Sequence, residues 1–423
     1  MPRSFLGRRD SAGLCGPERV EVKERNSTPT NAFELIQRPE DLDALVEILL
    51  GEKVLAFDTE ADSFYHYFDK TCLVQVATRR KIYLIDPLAL GGPGQLAALG
   101  PIFAAPDICK IFHAAEYDLF VLKRDCSFQF NALFDTMISA QLLGYQSVSL
   151  AGLAKRHFNL DLPKDEQRSD WSRRPLTPKQ LNYAAADVLY LIRLREKLSK
   201  ELRAAKRLDW AHEEFLALSG REWPKRGFDK LGYLRIKGAR HLQPTALNIL
   251  RELYLLRDER AREVDRPPFK VLGNRTLLEI AERAPTKLSN LAKIKGITEL
   301  LQRRLGRDLL NAVSIGSKKE HGPIPKLNGN NSRRRIDRHA ERRLVVLKKW
   351  RRQLAVELSM DPGVLCPNSA LEAIACSDPK VTDDLAATPG LKGWFRREFG
   401  AAVVEVSCSV DSARGAPRKA QQS

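Results

Sequence analysis

Long apolar runs, paired cysteines and abundant aromatic residues are all missing from this chain of 423 residues. No apolar stretch approaches the roughly 20 residues of a membrane-spanning helix, so no membrane segment is expected. The basic, polar start MPRSFLGRRDSAGLCG lacks the apolar core of a signal peptide. A transit peptide is one reading of it, and a disordered extension over residues 1–32 is the simpler one. The seven cysteines, Cys15, Cys72, Cys109, Cys126, Cys366, Cys376 and Cys408, are scattered, and none forms a C-x-x-C pair. That spacing argues against a zinc site and a disulfide framework, and it fits a reducing cytoplasm. Aromatic residues are only 7% of the chain against 43% apolar residues, which favours helices packed by aliphatic side chains.

Acidic residues also fall short. Fifty-three of them face 70 basic ones, for a net charge of +17. Such a balance points to a polyanionic partner, usually nucleic acid, but it becomes an argument only beside a site. The length suits two to four domains.

Strands and helices alternate from about Phe33 to Leu143. KVLAFDT, CLVQVAT, KIYLIDP and KIFHA are short β-rich runs, with ALFDT as a candidate fifth. From Ser149 the pattern becomes helical. An α/β domain with a mixed sheet, finished by helices, is expected over 33–237. Its length allows it to bury its own core, so it is expected to fold without the rest of the chain.

Beyond Gly238 no strand is evident and the chain repeats itself. A shift of 94 residues aligns Ala246–Gly306 without a gap and gives 17 identical pairs in 61 positions, where chance gives roughly 4. The pairs include Leu250/Leu344, Arg257/Arg351, Asn274/Asn368, Ile280/Ile374 and Gly296/Gly390. Apolar pairs fall at helical spacing and Pro and Gly pairs at the breaks, as in two copies of one small helical domain, placed at 238–316 and 336–405. The basic, Gly- and Asn-rich stretch 317–335 between them is either a solvated tether or a phosphate-binding strap. Residues 406–423 are expected to be a disordered tail.

In KVLAFDTEADSFY an apolar strand ends in two carboxylates one residue apart, Asp58 and Glu60. Downstream, KIFHAAEYDLFVLK places Asp118 at the start of a helix that follows a strand. QLNYAAADVLYLIR places Tyr183 and Asp187 four apart, on one face of a helix that is otherwise apolar. Unpaired inward carboxylates are expensive, and four converging ones need cations. Two Mg²⁺ or Mn²⁺ ions would balance the four charges, and hard oxygen donors suit those ions. Two such ions are the usual clamp for in-line displacement at a phosphodiester, with the Tyr183 hydroxyl orienting the attacking water. Asp58 and Glu60 alone would more often be a surface strand end.

FDTE, HAAEYD and YAAAD, in this order, resemble the DEDD superfamily of 3′–5′ exonucleases, and the tyrosine four residues before the last aspartate matches its DEDDy branch. The run QRSDWSRRPL is similar to the ribonuclease D family, and the helical repeat resembles the helicase-and-RNase-D C-terminal (HRDC) domain. The resemblance spans roughly Phe33 to Gly400. It implies a ribonuclease H-like α/β exonuclease domain followed by two small all-α HRDC-like domains. The implied activity is metal-dependent 3′–5′ exoribonuclease action releasing 5′-mononucleotides. The implied catalytic residues are Asp58, Glu60, Asp118, Tyr183 and Asp187, the four carboxylates being the metal ligands. The implied partner is RNA, tRNA precursors and small structured RNAs above all, with no membrane and no obligate protein partner.

Four further residues are candidate substrate contacts. Gln75 alternates with apolar neighbours and could face the site. His113 lies near a strand end, where a satisfied structural histidine is the simpler reading. Trp171 and Arg174 would stack on or clamp the RNA terminus, or Trp171 packs against the last helices. Asp135 reads as a helix cap, and Asp62 and Asp69 as solvated loop residues. A DNA exonuclease and a silent nucleic-acid-binding protein are the rival readings. The first lacks helicase motifs or a polymerase domain to support it, and the five intact positions oppose the second.

Overall fold

Short runs of β-branched and aromatic residues, bounded by charged or Gly- and Pro-containing turns, set the strands. The computed structural model describes residues 33–163, 165–223, 227–320 and 337–412 and joins six strands in one sheet. They are β1 (Phe33–Ile36), β2 (Val54–Ala61), β3 (Thr71–Ala77), β4 (Ile82–Ile85), β5 (Cys109–Phe112) and β6 (Leu133–Asp135), in the order β1-β4-β3-β2-β5-β6. The strand β3 runs antiparallel to both neighbours, and the other pairings are parallel. Five strands match the sequence expectation. The sixth, β1, is a four-residue edge strand too short to show a period.

Helices cover both faces. They are α1 (Pro39–Leu50), α2 (Gly100–Ala104), α3 (Glu116–Cys126), α4 (Thr136–Leu142), α5 (Leu150–Phe158), α6 (Pro178–Leu189), α7 (Leu191–Ala204) and α8 (Leu208–Ser219). Every residue of β3 is buried, which explains its near-continuous apolar run. Phe57 anchors the sheet, its ring 4.7 Å from Phe103 and 5.6 Å from Phe112.

The two helical copies repeat each other element for element. The first comprises α9 (Pro244–Glu263), α10 (Pro268–Val271), α11 (Asn274–Arg283), α12 (Leu288–Leu291) and α13 (Glu299–Lys318). The second comprises α14 (Arg338–Glu357), α15 (Pro362–Leu365), α16 (Asn368–Ser377), a 3₁₀ turn at Thr382–Ala387 and α17 (Gly393–Ser412). The identical pairs do identical work. Arg257 donates to the Leu272 carbonyl and, at 2.7 Å, to Asn274. Arg351 donates to the Cys366 carbonyl and, at 2.9 Å, to Asn368. Gly296 and Gly390 both adopt positive φ, 95° and 73°, where glycine carries no Cβ penalty.

The copies attach to the α/β domain through the same corner but by different physics. Ser359 (φ 53°) and its equivalent Asp265 (φ 45°) each turn the chain after the first long helix of a copy. In the second copy this corner abuts Gly144, and a Cβ on Gly144 would strike the Ser359 carbonyl. Trp394, fully buried, stacks on Trp210 of α8 at 4.3 Å and donates its indole N–H to Glu214 at 2.7 Å. Arg207 donates to the carbonyls of Leu142 (2.7 Å) and Leu358 (2.8 Å). The second copy and the α/β domain share one apolar core. The first copy keeps a core of its own and docks largely through polar contacts.

These observations correct three expectations. The α/β domain does not end its core at residue 237, because the second copy covers an apolar face of it. The first copy starts earlier than 238, since Tyr233, Leu234 and Ile236 belong to its core. The tail does not begin at 406, since α17 continues to Ser412. The extension 1–32, all but the first four residues of the linker 317–335, and residues 413–423 lie outside the described residues. Among the described residues no helix is long and apolar enough to cross a membrane.

Candidate active site

Alternation along β2 puts Asp58 and Glu60 on one face of the sheet and Thr59 on the other. The helix α6 lies over the first face, spanning β2, β3 and β4. Its start is fixed locally. Pro178 opens the first turn, and Thr177 with Gln180 closes a reciprocal capping box. One turn later Tyr183 and Asp187 point at the sheet. Carboxylate oxygens of Asp58, Glu60 and Asp187 all lie within 4.8 Å of one another.

Asp118 comes from the first turn of α3. Asp118 is 6% exposed as a residue, and its carboxylate accepts a 2.6 Å hydrogen bond from the Thr59 hydroxyl. It is not one of the three carboxylates that lie within 4.8 Å of one another, but its charge acts on all three. The turn before α3 is held by Asp135, which accepts from the backbone N–H groups of Ala114 and Ala115 as well as from Met137 and Ile138 at the start of α4. Asp135 is a helix cap, and it also sets the helix that carries Asp118.

The electrostatics are one-sided. Burial, then repulsion chiefly from Asp118 and Asp187, holds Asp58 and Glu60 well above the usual carboxylate range. Burial pushes Asp118 and Asp187 up to about 7 from the ordinary 3.8. The interactions that dominate at Asp58, Glu60 and Asp187 set no arginine or lysine against them. Oxygen donors in a buried, uncompensated cluster fit a hard divalent cation. The Tyr183 phenol is also raised, by burial and then by the charges of Asp187, Glu60 and Asp58. It is therefore a hydrogen-bond donor here rather than a proton acceptor.

The four candidate substrate contacts turn inward. Arg174 is consumed by the protein. It grips Asp86 with two bonds of 2.7 and 2.6 Å and donates to the carbonyls of Cys72, Trp171 and Arg173. Trp171 is 1% exposed and packs against the Tyr183 ring, centroids 6.1 Å apart. Neither offers a face to a nucleic acid, because both are used to seat α6 on the sheet. His113 bonds Thr136 at 2.9 Å, and burial lowers its pKa to about 4, so it is a neutral structural group. Gln75 pairs with Asp58 across the strands but is fully buried, with no protein partner for either amide atom.

Asp62 and Asp69 are not solvated. Asp62 is fully buried and accepts from the Lys70 backbone and ammonium groups, both at 2.8 Å. Asp69 pairs with Arg124 at 2.9 Å. Together they tie down loop 62–70, which leaves β2 just beyond Glu60. Sequence reading also missed Thr59, although its alternation with Asp58 and Glu60 is visible in FDTE. Asp86, 88 residues from its partner Arg174, gives no local signal.

Known proteins resemble this chain over most of its length. A family model described as 3′-5′ exonuclease matches residues 33–203, and the HRDC domain model matches 246–313 and 340–406. The chain is 30% identical over 373 residues to the ribonuclease D of Gluconacetobacter diazotrophicus, covering 86% of this chain and 90% of that one. It is 31% identical over 334 residues to the ribonuclease D of Xanthomonas oryzae pv. oryzae, covering 76% and 85%. Among solved structures, the catalytic core of RRP6 from Trypanosoma brucei superposes with a TM-score of 0.63 at 30% identity over 69% of this chain and 81% of that one. Escherichia coli RNase D shares the fold, with a TM-score of 0.66 at 24% identity over 89% and 99%.

Proposed function

Because this chain belongs to the ribonuclease D family of 3′–5′ exoribonucleases, we propose that Asp58, Glu60, Asp118 and Asp187 are its metal ligands and Tyr183 the group that orients the attacking water. The observation that carries the assignment is the convergence of Asp58, Glu60 and Asp187 within 4.8 Å, with no arginine or lysine of the described residues among the dominant interactions there. Mg²⁺ or Mn²⁺ held there would supply electrostatic stabilisation of the in-line displacement and make water more acidic.

The protein's own groups divide the remaining work. The Thr59 hydroxyl, donating to its carboxylate, holds Asp118 in place. The Tyr183 hydroxyl, kept protonated, can donate to the carboxylate in the free enzyme and fix a water in line with the terminal phosphodiester in the complex. Trp171, Arg174 and Asp86 hold α6, and through it Tyr183 and Asp187, against the sheet. Water's oxygen bonds to phosphorus, the 3′-oxygen of the penultimate residue leaves with a proton, and a 5′-mononucleotide is released.

The natural substrates we propose are tRNA precursors and other small structured RNAs, met in the cytoplasm. The support is the pair of helical modules and the net charge of +17, which suit a substrate gripped well away from its cleaved end. The test is a 3′-extended tRNA incubated with and without Mg²⁺ or Mn²⁺, beside matched DNA and circular RNA. Stepwise loss of 3′ nucleotides from the tRNA alone, absent in chelator and in Asp58→Asn, is expected. Cleavage of circular RNA as fast as linear RNA would overturn the reading.

A further inference from the structure

Among the described residues most aromatic side chains are buried in a core or packed against one. Among the described residues only four large ones are well exposed: Phe64 (49%), Phe68 (60%), Tyr117 (39%) and Phe269 (55%). They come from three separate parts of the sequence, yet they share one rim. Phe64 and Phe68 stand on loop 62–70, which begins two residues after Glu60. Tyr117 immediately precedes Asp118, and its hydroxyl lies 3.4 Å from Asp69 at the far end of that loop. Phe269 belongs to the docking corner of the first helical copy. On one side of it, Asp265 accepts from the backbone N–H groups of Tyr67 (3.0 Å) and Phe68 (3.1 Å) and pairs with His66 at 2.7 Å. On its other side, the Lys270 ammonium sits 3.8 Å above the Tyr65 ring.

The loop is thus pinned at both ends and in the middle, so its phenylalanines are presented rather than left over from loose packing. Lys270 and its exposed neighbour Arg266 add positive charge, and Arg266 has no ion pair among the described residues. Rigidly held exposed rings interleaved with basic groups are how proteins hold single-stranded nucleic acid, because every base has a face to stack and every linkage a charge. The rim also runs from the carboxylate site to the first helical copy, the direction a chain must follow if its 3′ end is at one and its body at the other.

We propose that Phe64, Phe68, Tyr117 and Phe269, with Arg266 and Lys270, form a stacking rim for the single-stranded nucleotides that lie upstream of the one being removed. This rests on the exoribonuclease reading above. It assigns the first helical copy a direct place in the substrate path, and it gives the second, buried against the α/β domain, a bracing part.

The test measures binding of a short single-stranded RNA to the full chain in the cleavage-deficient Asp58→Asn background. Phe64→Ala, Phe68→Ala and Phe269→Ala are each added, with Val381→Ala, an exposed apolar residue of the second copy, as the control. Each rim variant should weaken binding by roughly 5- to 150-fold, the range of lost base stacking. Its melting temperature should match the parent, since the side chains removed are exposed. An RNA with abasic upstream positions should bind the parent more weakly than the intact RNA does, and each variant should discriminate less between the two RNAs than the parent does. Rim variants that bind like the parent would overturn the proposal and point to a protein partner for this patch. Equal weakening on intact and abasic RNA would also overturn it, since stacking would then not be the contact. If the enzyme carrying Asp58 neither hydrolyses nor binds the RNA, the exoribonuclease reading itself has failed, and that outcome is distinct from both.

Discussion

Removing the charge of Asp118 should flatten the pH dependence of stability in the metal-free protein. The carboxyl group is buried and raised from 3.8 to about 7, mainly by burial and against the favourable Thr59 hydrogen bond. A carboxyl raised in the folded state stabilises fully below its unfolded value, and that contribution is lost as pH rises through the folded value. At 1.36 kcal/mol per unit, the whole shift is worth about 4 kcal/mol, of which about 3 kcal/mol is lost between about pH 5 and pH 8. The amide introduced by Asp118→Asn would keep an oxygen for the Thr59 hydroxyl and carry no titrating proton. The assay is thermal melting of parent and Asp118→Asn in chelator across that pH range at constant ionic strength. The difference between their slopes cancels the general charge repulsion of a basic chain. The parent should lose about 6–12 °C more than the variant over the range, taking 2–4 °C per kcal/mol for a domain of this size. Mg²⁺ or Mn²⁺ should return more of the parent's stability at pH 8 than at pH 5, since cations compete with protons for the same oxygens. Parallel pH slopes for parent and variant in chelator would refute the claim that this carboxyl is held protonated by its surroundings.

Asp187→Asn should remove most hydrolysis and weaken Mn²⁺ binding while leaving the fold intact, as read by turnover, calorimetric titration of the metal and circular dichroism. Tyr183→Phe should lower turnover by about 10²–10⁴-fold with little change in metal affinity, and a rate within twofold of the parent would reduce Tyr183 to packing. Trp394→Ala should destabilise the α/β domain by about 3–5 kcal/mol in denaturant unfolding, because its stack on Trp210 is part of the shared core. Gly144→Ala should also loosen the second copy, since that residue sits at φ 74° and its new methyl would meet the Ser359 carbonyl. Limited proteolysis between the two parts reads that change directly. A chain ending near Lys237 should be insoluble or strongly destabilised; a folded, active truncation would show that the second copy is not a brace.

The carboxylates proposed as metal ligands were legible because each is announced locally. Asp58 and Glu60 end an apolar strand, Asp118 opens a helix after a strand, and Tyr183 and Asp187 share a helical face. The two helical copies were legible for a similar reason. Pairs such as Arg257/Arg351 and Gly296/Gly390 serve each copy's own backbone, so each module had to keep them wherever it was attached. Arg174 was misread as a substrate contact, and Trp171 was left open between stacking and packing, because residue type shows what a side chain can bind, not which way it faces. Arg174 meets an aspartate 88 residues away, and no period or motif joins the two.

By itself the sequence determined the α/β class, the order of the carboxylates and the presence of two related helical modules. All of these rest on patterns within one or two turns of helix or strand. Only the tertiary structure decided how the modules divide their work. Trp394 finds Trp210, far back along the chain, and so the second copy joins the nuclease core. Its sister docks by a polar corner and leaves Phe269 exposed beside Phe64 and Phe68. Burial and mutual proximity of Asp58, Glu60 and Asp187 likewise exist only in the fold, because desolvation and Coulomb repulsion depend on distances that the sequence does not contain.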